Sequence, residues 1–207
     1  MVEWSIEAFR ACDSVRSIVV AAPPRHVGDF SGHDLGVVAG GATRAQSVAN
    51  ALEAVGTEYV AAHDAARPLL TPELVEALVA DLDAAPDAAG VIAAAPVADT
   101  IKRAGESRWQ KGPSEGQNRR LMIKATEDRA ELWAAQTPQV FRTAALRKAL
   151  AAAERPEEAT DEAMLVEWDG GTVLIHPVAE QNLKVTTPLD LRVAELLLAE
   201  RAGADPS

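Results

Sequence analysis

Short apolar runs alternate along this chain with longer segments in which hydrophobic residues recur every three or four positions. The apolar runs predict strands at Ser17–Ala22, Gly36–Ala39, Tyr59–Ala62, Gly90–Ala95, 172–176 and 182–185. The periodic segments predict helices at 3–11, 44–55, 72–82, 143–153, 160–167 and 188–202. Repeated strand and helix units of this kind are typical of an α/β fold with a doubly wound, mostly parallel sheet.

One stretch, from Asp99 to Arg129, breaks the alternation and shows no strong periodicity. A structureless segment of this length is uncommon inside a compact domain, so we expect it to serve as an arm, a lid or a contact with a partner. The chain has 207 residues, 48% of them hydrophobic, which is enough for one substantial core. We therefore expect a single domain over residues 1–207, from which the 99–129 segment protrudes.

Charge is distributed unevenly. The net charge of −11 argues against general nucleic-acid binding, which usually needs a broad basic surface. Residues 102–129 nevertheless contain eight basic and four acidic side chains. A cationic segment on an acidic protein suits a small polyanionic ligand, although a solvated basic loop would explain its exposed members equally well.

The sequence also limits the cellular context. It contains no run of eighteen apolar residues, and its first residues are amphipathic, so we expect neither a membrane span nor a secretory signal. A cytoplasmic location follows as an expectation. The single cysteine, Cys12, cannot form an intrachain disulfide and is most simply a small buried residue.

The most informative motif is His63–Pro68, which follows the predicted strand Tyr59–Ala62 and precedes a Thr-Pro helix start at 71–72. This position places Asp64 and Arg67 at the carboxyl edge of the sheet, where open parallel sheets bind ligands. An acid and a base three residues apart can hold a divalent cation and a phosphate together. For this hexapeptide alone, a solvated loop with a surface arginine is the simpler interpretation.

Six further motifs accompany the His63–Pro68 motif, at Gly40–Val48, Asp99–Arg103, Thr126–Arg129, Ala135–Gln139, Ala159–Glu162 and Asn182–Pro188. In this order and spacing, the seven motifs resemble the 2-C-methyl-D-erythritol 4-phosphate cytidylyltransferases of the non-mevalonate isoprenoid pathway. The resemblance extends to about Arg201. It implies a Rossmann-like nucleotidyltransferase fold with a protruding β-arm.

The activity implied by this resemblance is transfer of CMP from CTP to a sugar-alcohol phosphate, with release of pyrophosphate and with Mg²⁺ as cofactor. Both reactants are anions, so the enzyme's tasks are in-line positioning and charge neutralisation. Side chains of Asp, Arg, Lys and Thr suit these tasks, and no nucleophilic triad is needed.

The resemblance also implies roles for individual residues. Those around the nucleotide are Gly40, Gly41, Ser47, Asp64 and Ala65, and those around the acceptor are Thr100, Arg129, Thr137, Thr160 and Lys184. Asp64, Arg129 and Lys184 are implied to be catalytic, and Asp64 to contact the metal. Each also has an ordinary structural explanation, such as a helix cap for Thr160 or a turn before Pro138 for Thr137.

In the resembling family the region corresponding to 99–129 is a β-arm that reaches into the partner of a homodimer. The resemblance therefore implies that the 99–129 arm mediates dimerisation. It also implies that Arg129 acts in trans, at an acceptor site formed mainly by Thr137, Thr160 and Lys184 of the other subunit.

One departure from the family is large, because its members begin with a strand and a glycine-rich loop of the type L-A-A-G-x-G-x-R-x-G. This sequence contains no such motif, so we expect a chain that lacks the amino-terminal part of the family domain and has little or no CTP-dependent activity. A ribitol 5-phosphate cytidylyltransferase is one alternative, although Ala65–Ala66 favours methylerythritol phosphate. A non-catalytic homologue acting as a binding or regulatory subunit is the other.

Overall fold

The computed structural model describes residues 1–30, 35–105, 121–179 and 182–203. They belong to two compact units. The main unit comprises Met1–Ala94 and Ala135–Ser207, and the small unit comprises Ala95–Ala134.

Helices and strands alternate through the described residues. The helices are α1 (Val2–Arg10), α2 (Arg44–Leu52), α3 (Pro72–Asp83), α4 (Thr143–Ala152), α5 (Glu162–Trp168) and α6 (Pro188–Gly203). The strands are β1 (Val19–Ala22), β2 (Gly36–Ala39), β3 (Tyr59–Ala62), β4 (Gly90–Pro96), β5 (Lys102–Gly105), β6 (Met122–Thr126), β7 (Trp133–Arg142) and β8 (Val173–Pro177). Short 3-10 helices lie at Pro24–Phe30, Arg129–Glu131 and Pro156–Glu158.

The strands of the main unit form two sheets. Strands β1 and β2 pair in parallel, with Val19 opposite Gly36. The larger sheet has the order β3-β7-β4-β8, in which β4 and β8 are parallel and β3 and β7 are antiparallel. The predicted α/β fold is thus confirmed, and the larger sheet contains both a parallel and an antiparallel pair of strands.

Helices cover both faces of the larger sheet. Successive strand residues point to opposite faces. Accordingly, Ile92 of β4 packs with residues of α2, α4 and α5, whereas its neighbours Val91 and Ala93 pack with α3. Residues 90–95 are all buried, which explains why this strand is a continuous apolar run rather than an alternating one.

Three local predictions differ from the structure. Strand β7 contains the Ala135–Gln139 motif, so Thr137 lies within a strand and not in a turn. Helix α5 is capped by Asp161, whose side chain accepts a hydrogen bond from the backbone N–H of Met164, so Thr160 is not the cap. The strand predicted at 182–185 is wrong, since the structure assigns no strand there.

In the small unit, β5 and β6 pair antiparallel, with Lys102 opposite Thr126. The guanidinium of Arg129 donates to the carbonyl of Ala98, and Thr100 is exposed. Residues 106–120, the centre of the predicted arm, lie outside the described residues. The role of 99–129 in dimerisation stays a prediction, as does the single-domain organisation.

Within the described part of the chain, no helix combines the length and the apolar character needed to cross a membrane.

Candidate active site

Asp64 lies two residues after β3, and its two carboxylate oxygens contact different cations. Nε and Nη2 of Arg44, the first residue of α2, both lie 3.1 Å from Oδ1, and Nζ of Lys184 lies 2.9 Å from Oδ2. Burial alone would raise the pKa of Asp64, but the hydrogen bond from Lys184 and the charge of Arg44 outweigh burial and lower the pKa below its ordinary value. Asp64 is therefore a carboxylate at neutral pH.

Arg44 also contacts a second acid. Its Nη1 donates to Oε1 of Glu162, the first residue of α5, whose side chain is only 1% exposed. Burial raises the pKa of Glu162, opposed by the charge of Arg44. Burial alone would lower the pKa of Arg44, but Glu162 and Asp64 together raise it. Arg44 thus joins the starts of two helices to the loop after β3.

Thr137 of β7 fixes the backbone at Asp64. Its Oγ1 accepts from the backbone N–H of Asp64 at 3.0 Å and lies 3.1 Å from Nδ1 of His63. Nε2 of His63 lies 3.2 Å from the carbonyl of Arg67. Since a carbonyl can only accept, Nε2 carries the proton and Nδ1 accepts from the Thr137 hydroxyl. Burial lowers the pKa of His63 to about 4, so this ring is neutral at neutral pH and orients the loop.

The segment carrying Lys184 is tied to the same loop. Arg67 donates from Nη1 to the carbonyl of Asn182 at 2.6 Å, and the Asn182 amide donates to the carbonyl of Thr137 at 2.7 Å. The N–H of Val185 donates to the carbonyl of Ala66 at 2.7 Å. Arg67, a candidate phosphate ligand by its spacing, therefore helps to position the Lys184 segment.

The predicted nucleotide residues Gly40, Gly41 and Ser47 lie together after β2. Oγ of Ser47 accepts from the N–H of Gly41 at 3.0 Å and donates to the carbonyl of Thr43 at 2.9 Å. A Cβ on Gly41 would lie 2.3 Å from Cγ of Gln46, so only glycine fits there without rearrangement. The Ser47 hydroxyl thus holds this loop against the start of α2.

A cavity of about 410 Å³ in the main unit lies beside these groups. Its lining includes Arg44, Ser47, Asp64 and Ala65, together with apolar residues of β1 and β3. Three of the five predicted nucleotide residues therefore share one cavity wall. The other two, Gly40 and Gly41, do not line the cavity.

The predicted acceptor residues are distributed over both units. Thr137 and Lys184 contact Asp64 or its backbone, as described above. Thr160 is exposed, and its hydroxyl lies 3.8 Å from the sulfur of Met164. Thr100 and Arg129 belong to the small unit. The sequence alone predicts no role for Glu162, whose side chain the structure buries to 1% exposure against Arg44.

Comparison with known proteins identifies the family. The family model for IspD, 2-C-methyl-D-erythritol 4-phosphate cytidylyltransferase, matches residues 1–200. The chain belongs to this family. This finding confirms the family predicted from the seven motifs, and with it membership of a family of nucleotidyltransferase enzymes.

Similar proteins carry the same name. The 2-C-methyl-D-erythritol 4-phosphate cytidylyltransferase of Burkholderia multivorans is 40% identical over 216 residues, which cover 99% of this chain and 86% of that protein. The bifunctional enzyme IspD/IspF of Anaeromyxobacter sp. is 43% identical over 199 residues, covering 92% of this chain and 48% of that protein. The crystal structure of the Thermus thermophilus cytidylyltransferase has a TM-score of 0.76 and 34% identity, covering 96% of this chain and 88% of that chain.

A divalent metal in this family member would find few protein ligands. Among the described residues, no group of three or more His, Cys, Asp or Glu side chains is placed to hold a metal ion. Asp64 can supply one carboxylate, and Mg²⁺ is commonly held by one or two carboxylates together with substrate phosphates and water. The donor set therefore fits a metal that is bound mainly through the substrate.

Proposed function

We propose that this chain is built to transfer CMP from CTP to 2-C-methyl-D-erythritol 4-phosphate, with release of pyrophosphate. The observation that carries the proposal is Asp64, placed between Arg44 and Lys184 at the end of β3 in a member of this family. The names of the relatives from Burkholderia and Thermus support the same substrate.

The chemistry explains why this cluster is charged. An oxygen of the acceptor phosphate attacks the α-phosphorus of CTP, the bond from that phosphorus to the bridging oxygen breaks, and pyrophosphate takes the bond electrons. A phosphate monoester is already largely ionised at neutral pH, so no general base is required. What the protein must supply is in-line positioning and positive charge.

Lys184 is the residue of the cluster best placed to meet a phosphate. Its side chain is 45% exposed, and it contacts Asp64 through one of the three N–H donors of an ammonium group. The remaining donors can face an acceptor phosphate while the contact with Asp64 persists. Mg²⁺, held by Asp64 and the substrate phosphates, would neutralise charge at the α-phosphate. Thr137 holds the Asp64 backbone, and Thr160 would contribute a hydroxyl to the acceptor.

We further propose a homodimer in which the 99–129 arm carries Arg129 and Thr100 to the acceptor site of the other subunit. The arm segment is basic, which suits contact with a phosphate. The cytoplasmic location stays a prediction.

Binding and turnover test the substrate. Binding of methylerythritol phosphate and of ribitol 5-phosphate to the 207-residue protein is measured by calorimetry. Pyrophosphate release with CTP is measured on the same protein and on a version extended by a glycine-rich segment of the type with which the resembling family begins. We expect preferential binding of methylerythritol phosphate, and turnover chiefly in the extended protein. A preference for ribitol phosphate would overturn the substrate assignment, and failure of both proteins to turn over would favour a non-catalytic role.

Subunit mixing tests the trans contact. Extended protein carrying Arg129→Ala is mixed with extended protein carrying Lys184→Ala, each inactive by itself. If Arg129 acts in trans, one site of the heterodimer carries both defects and the other is intact, so activity returns on mixing. If both residues serve the same subunit, every site keeps one defect and mixing restores nothing.

A further inference from the structure

Four charged side chains form one continuous row beside the cavity. Glu162 accepts from Nη1 of Arg44, Nε and Nη2 of Arg44 reach one oxygen of Asp64, and the other oxygen of Asp64 accepts from Lys184. Their charges alternate along the row. Lys184 is the outermost member, with 45% of its side chain exposed, and Glu162 is the innermost, with 1% exposed.

The inner end of this row is rigidly held. Glu162 is the first residue of α5, where a negative charge is favoured by the helix dipole. The start of α5 is fixed to β7 through Gln139, which is 1% exposed. The Gln139 amide donates to Asp161 at 2.9 Å and its oxygen accepts from the N–H of Ala163 at 3.2 Å. The backbone at Glu162 is thus fixed, and its buried side chain is held against Arg44.

A fixed Glu162 determines how Arg44 meets Asp64. A guanidinium has a planar fork of donors and can bind two carboxylates only through different nitrogens. With Nη1 taken by Glu162, Arg44 presents Nε and Nη2, and both reach the same oxygen of Asp64. The second oxygen of Asp64 is left to Lys184.

We propose that Glu162 and Arg44 are positioning residues that act through Asp64 to hold Lys184 in place for the acceptor phosphate. This inference rests on the proposed function, because it assigns Lys184 to that phosphate. A released Arg44 would take both oxygens of Asp64, and Lys184 would lose its anchor. Ordering a lysine side chain carries one of the largest entropy costs among residues, so an unanchored Lys184 binds phosphate more weakly.

A double-mutant cycle tests the route through Lys184. Binding of methylerythritol phosphate is measured by calorimetry for the 207-residue protein, Glu162→Gln, Lys184→Ala and the double variant. We expect Glu162→Gln to raise Kd about three- to tenfold, the scale of a lost side-chain ordering term. In the Lys184→Ala background the same change should have an effect below about twofold, because coupled residues are not additive. The proposal would be overturned if Glu162→Gln raised Kd equally with and without Lys184, or if it left Kd unchanged in both cases.

Two further variants separate positioning from general damage. Glu158→Gln makes the same chemical change at an exposed glutamate that pairs with Arg155 at 2.7 Å, and it should leave Kd unchanged. Arg44→Lys keeps the charge but loses the planar fork whose separate nitrogens reach Glu162 and Asp64, so it should weaken binding as Glu162→Gln does. Should Glu162→Gln fail to fold, the cycle is run with Arg44→Lys, and an unchanged Kd in that variant overturns the proposal.

A spectroscopic measurement does not depend on ligand binding. In protein labelled with ¹⁵N-arginine, the Nη–H groups of Arg44, one of which donates to Glu162, should exchange slowly with solvent and are assigned by their loss in Arg44→Lys. Glu162→Gln should accelerate this exchange, and Glu158→Gln should not. If the unmodified protein fails to bind methylerythritol phosphate, the proposed function fails, and the exchange rates still decide the positioning role. Unchanged Arg44 exchange in Glu162→Gln overturns that role.

Discussion

Replacing Thr137 by valine removes a hydroxyl from the site at almost constant side-chain volume. Thr137 is 4% exposed and lies in β7, where a β-branched side chain is well tolerated. Its hydroxyl oxygen accepts from the N–H of Asp64 at 3.0 Å, and its proton goes to Nδ1 of His63, 3.1 Å away. The variant therefore loses both hydrogen bonds and leaves both partners unsatisfied.

The expected loss of stability follows from these two bonds. A hydrogen bond contributes about 1 kcal/mol net, and a buried partner left unpaired costs about 1–3 kcal/mol. Since Asp64 is partly buried and His63 more deeply so, we expect the free energy of unfolding to fall by about 2–3 kcal/mol. In a protein of this size the melting temperature should fall by about 4–12 °C.

The chain offers a matched control at Thr143. This residue is 5% exposed, and its hydroxyl is buried without a hydrogen-bond partner in the described part of the chain. Thr143→Val breaks no hydrogen bond and removes a buried hydroxyl that has no partner, so it should leave the free energy of unfolding unchanged or raise it by up to about 1–3 kcal/mol. Urea unfolding followed by circular dichroism compares the two variants. Equal destabilisation at both positions would refute the account of the Thr137 hydroxyl.

Other predictions concern the loop, the α5 cap and pH. Gly41→Ala should destabilise the protein by about 1–3 kcal/mol in urea unfolding, whereas Gly56→Ala, which meets open space, should not. Asp161→Ala should cost about 1–3 kcal/mol, because it removes the cap and the hydrogen bond from the buried Gln139 amide, and Thr160→Ala should cost clearly less; the reverse order would contradict the observed cap. Burial lowers the pKa of His63 from 6.5 to about 4, so the unfolded chain takes up the proton first as the pH falls. The contribution of neutral His63 to the free energy of unfolding is therefore lost as the pH falls from about 6.5 to 4, and it amounts to about 2 kcal/mol between pH 7 and 5. Urea unfolding at both pH values should show this loss in the unmodified protein and not in His63→Gln.

The elements predicted best from sequence are those with an unambiguous apolar pattern. The run at 90–95 is buried on both faces and α3 has a complete apolar stripe, so each could be identified locally. The sequence does not indicate strand β7, because Pro138 lacks a backbone N–H and a proline usually argues against an internal strand. It favours Thr160 as the cap because threonine and aspartate are both good caps, and only the backbone conformation distinguishes them.

For the site, the position of Asp64 could be predicted because a polar residue after a buried strand lies at the sheet edge. The role of Glu162 could not. Its contact with Arg44 joins residues 118 positions apart, and no local pattern encodes such a pairing. The neutral state of His63 likewise depends on burial by distant segments.

The same long separations have a consequence for synthesis. Arg44 and Asp64 are 20 residues apart in the sequence, so they leave the ribosome close together in time. Glu162 lies 118 residues after Arg44, and at typical rates of elongation it emerges roughly 6–24 s later. During that interval a nascent chain holds Asp64 and Arg44 without the acid that directs the arginine and without Lys184. Each new molecule therefore acquires its charge row abruptly and late, when the segment from Glu162 to Lys184 emerges and docks.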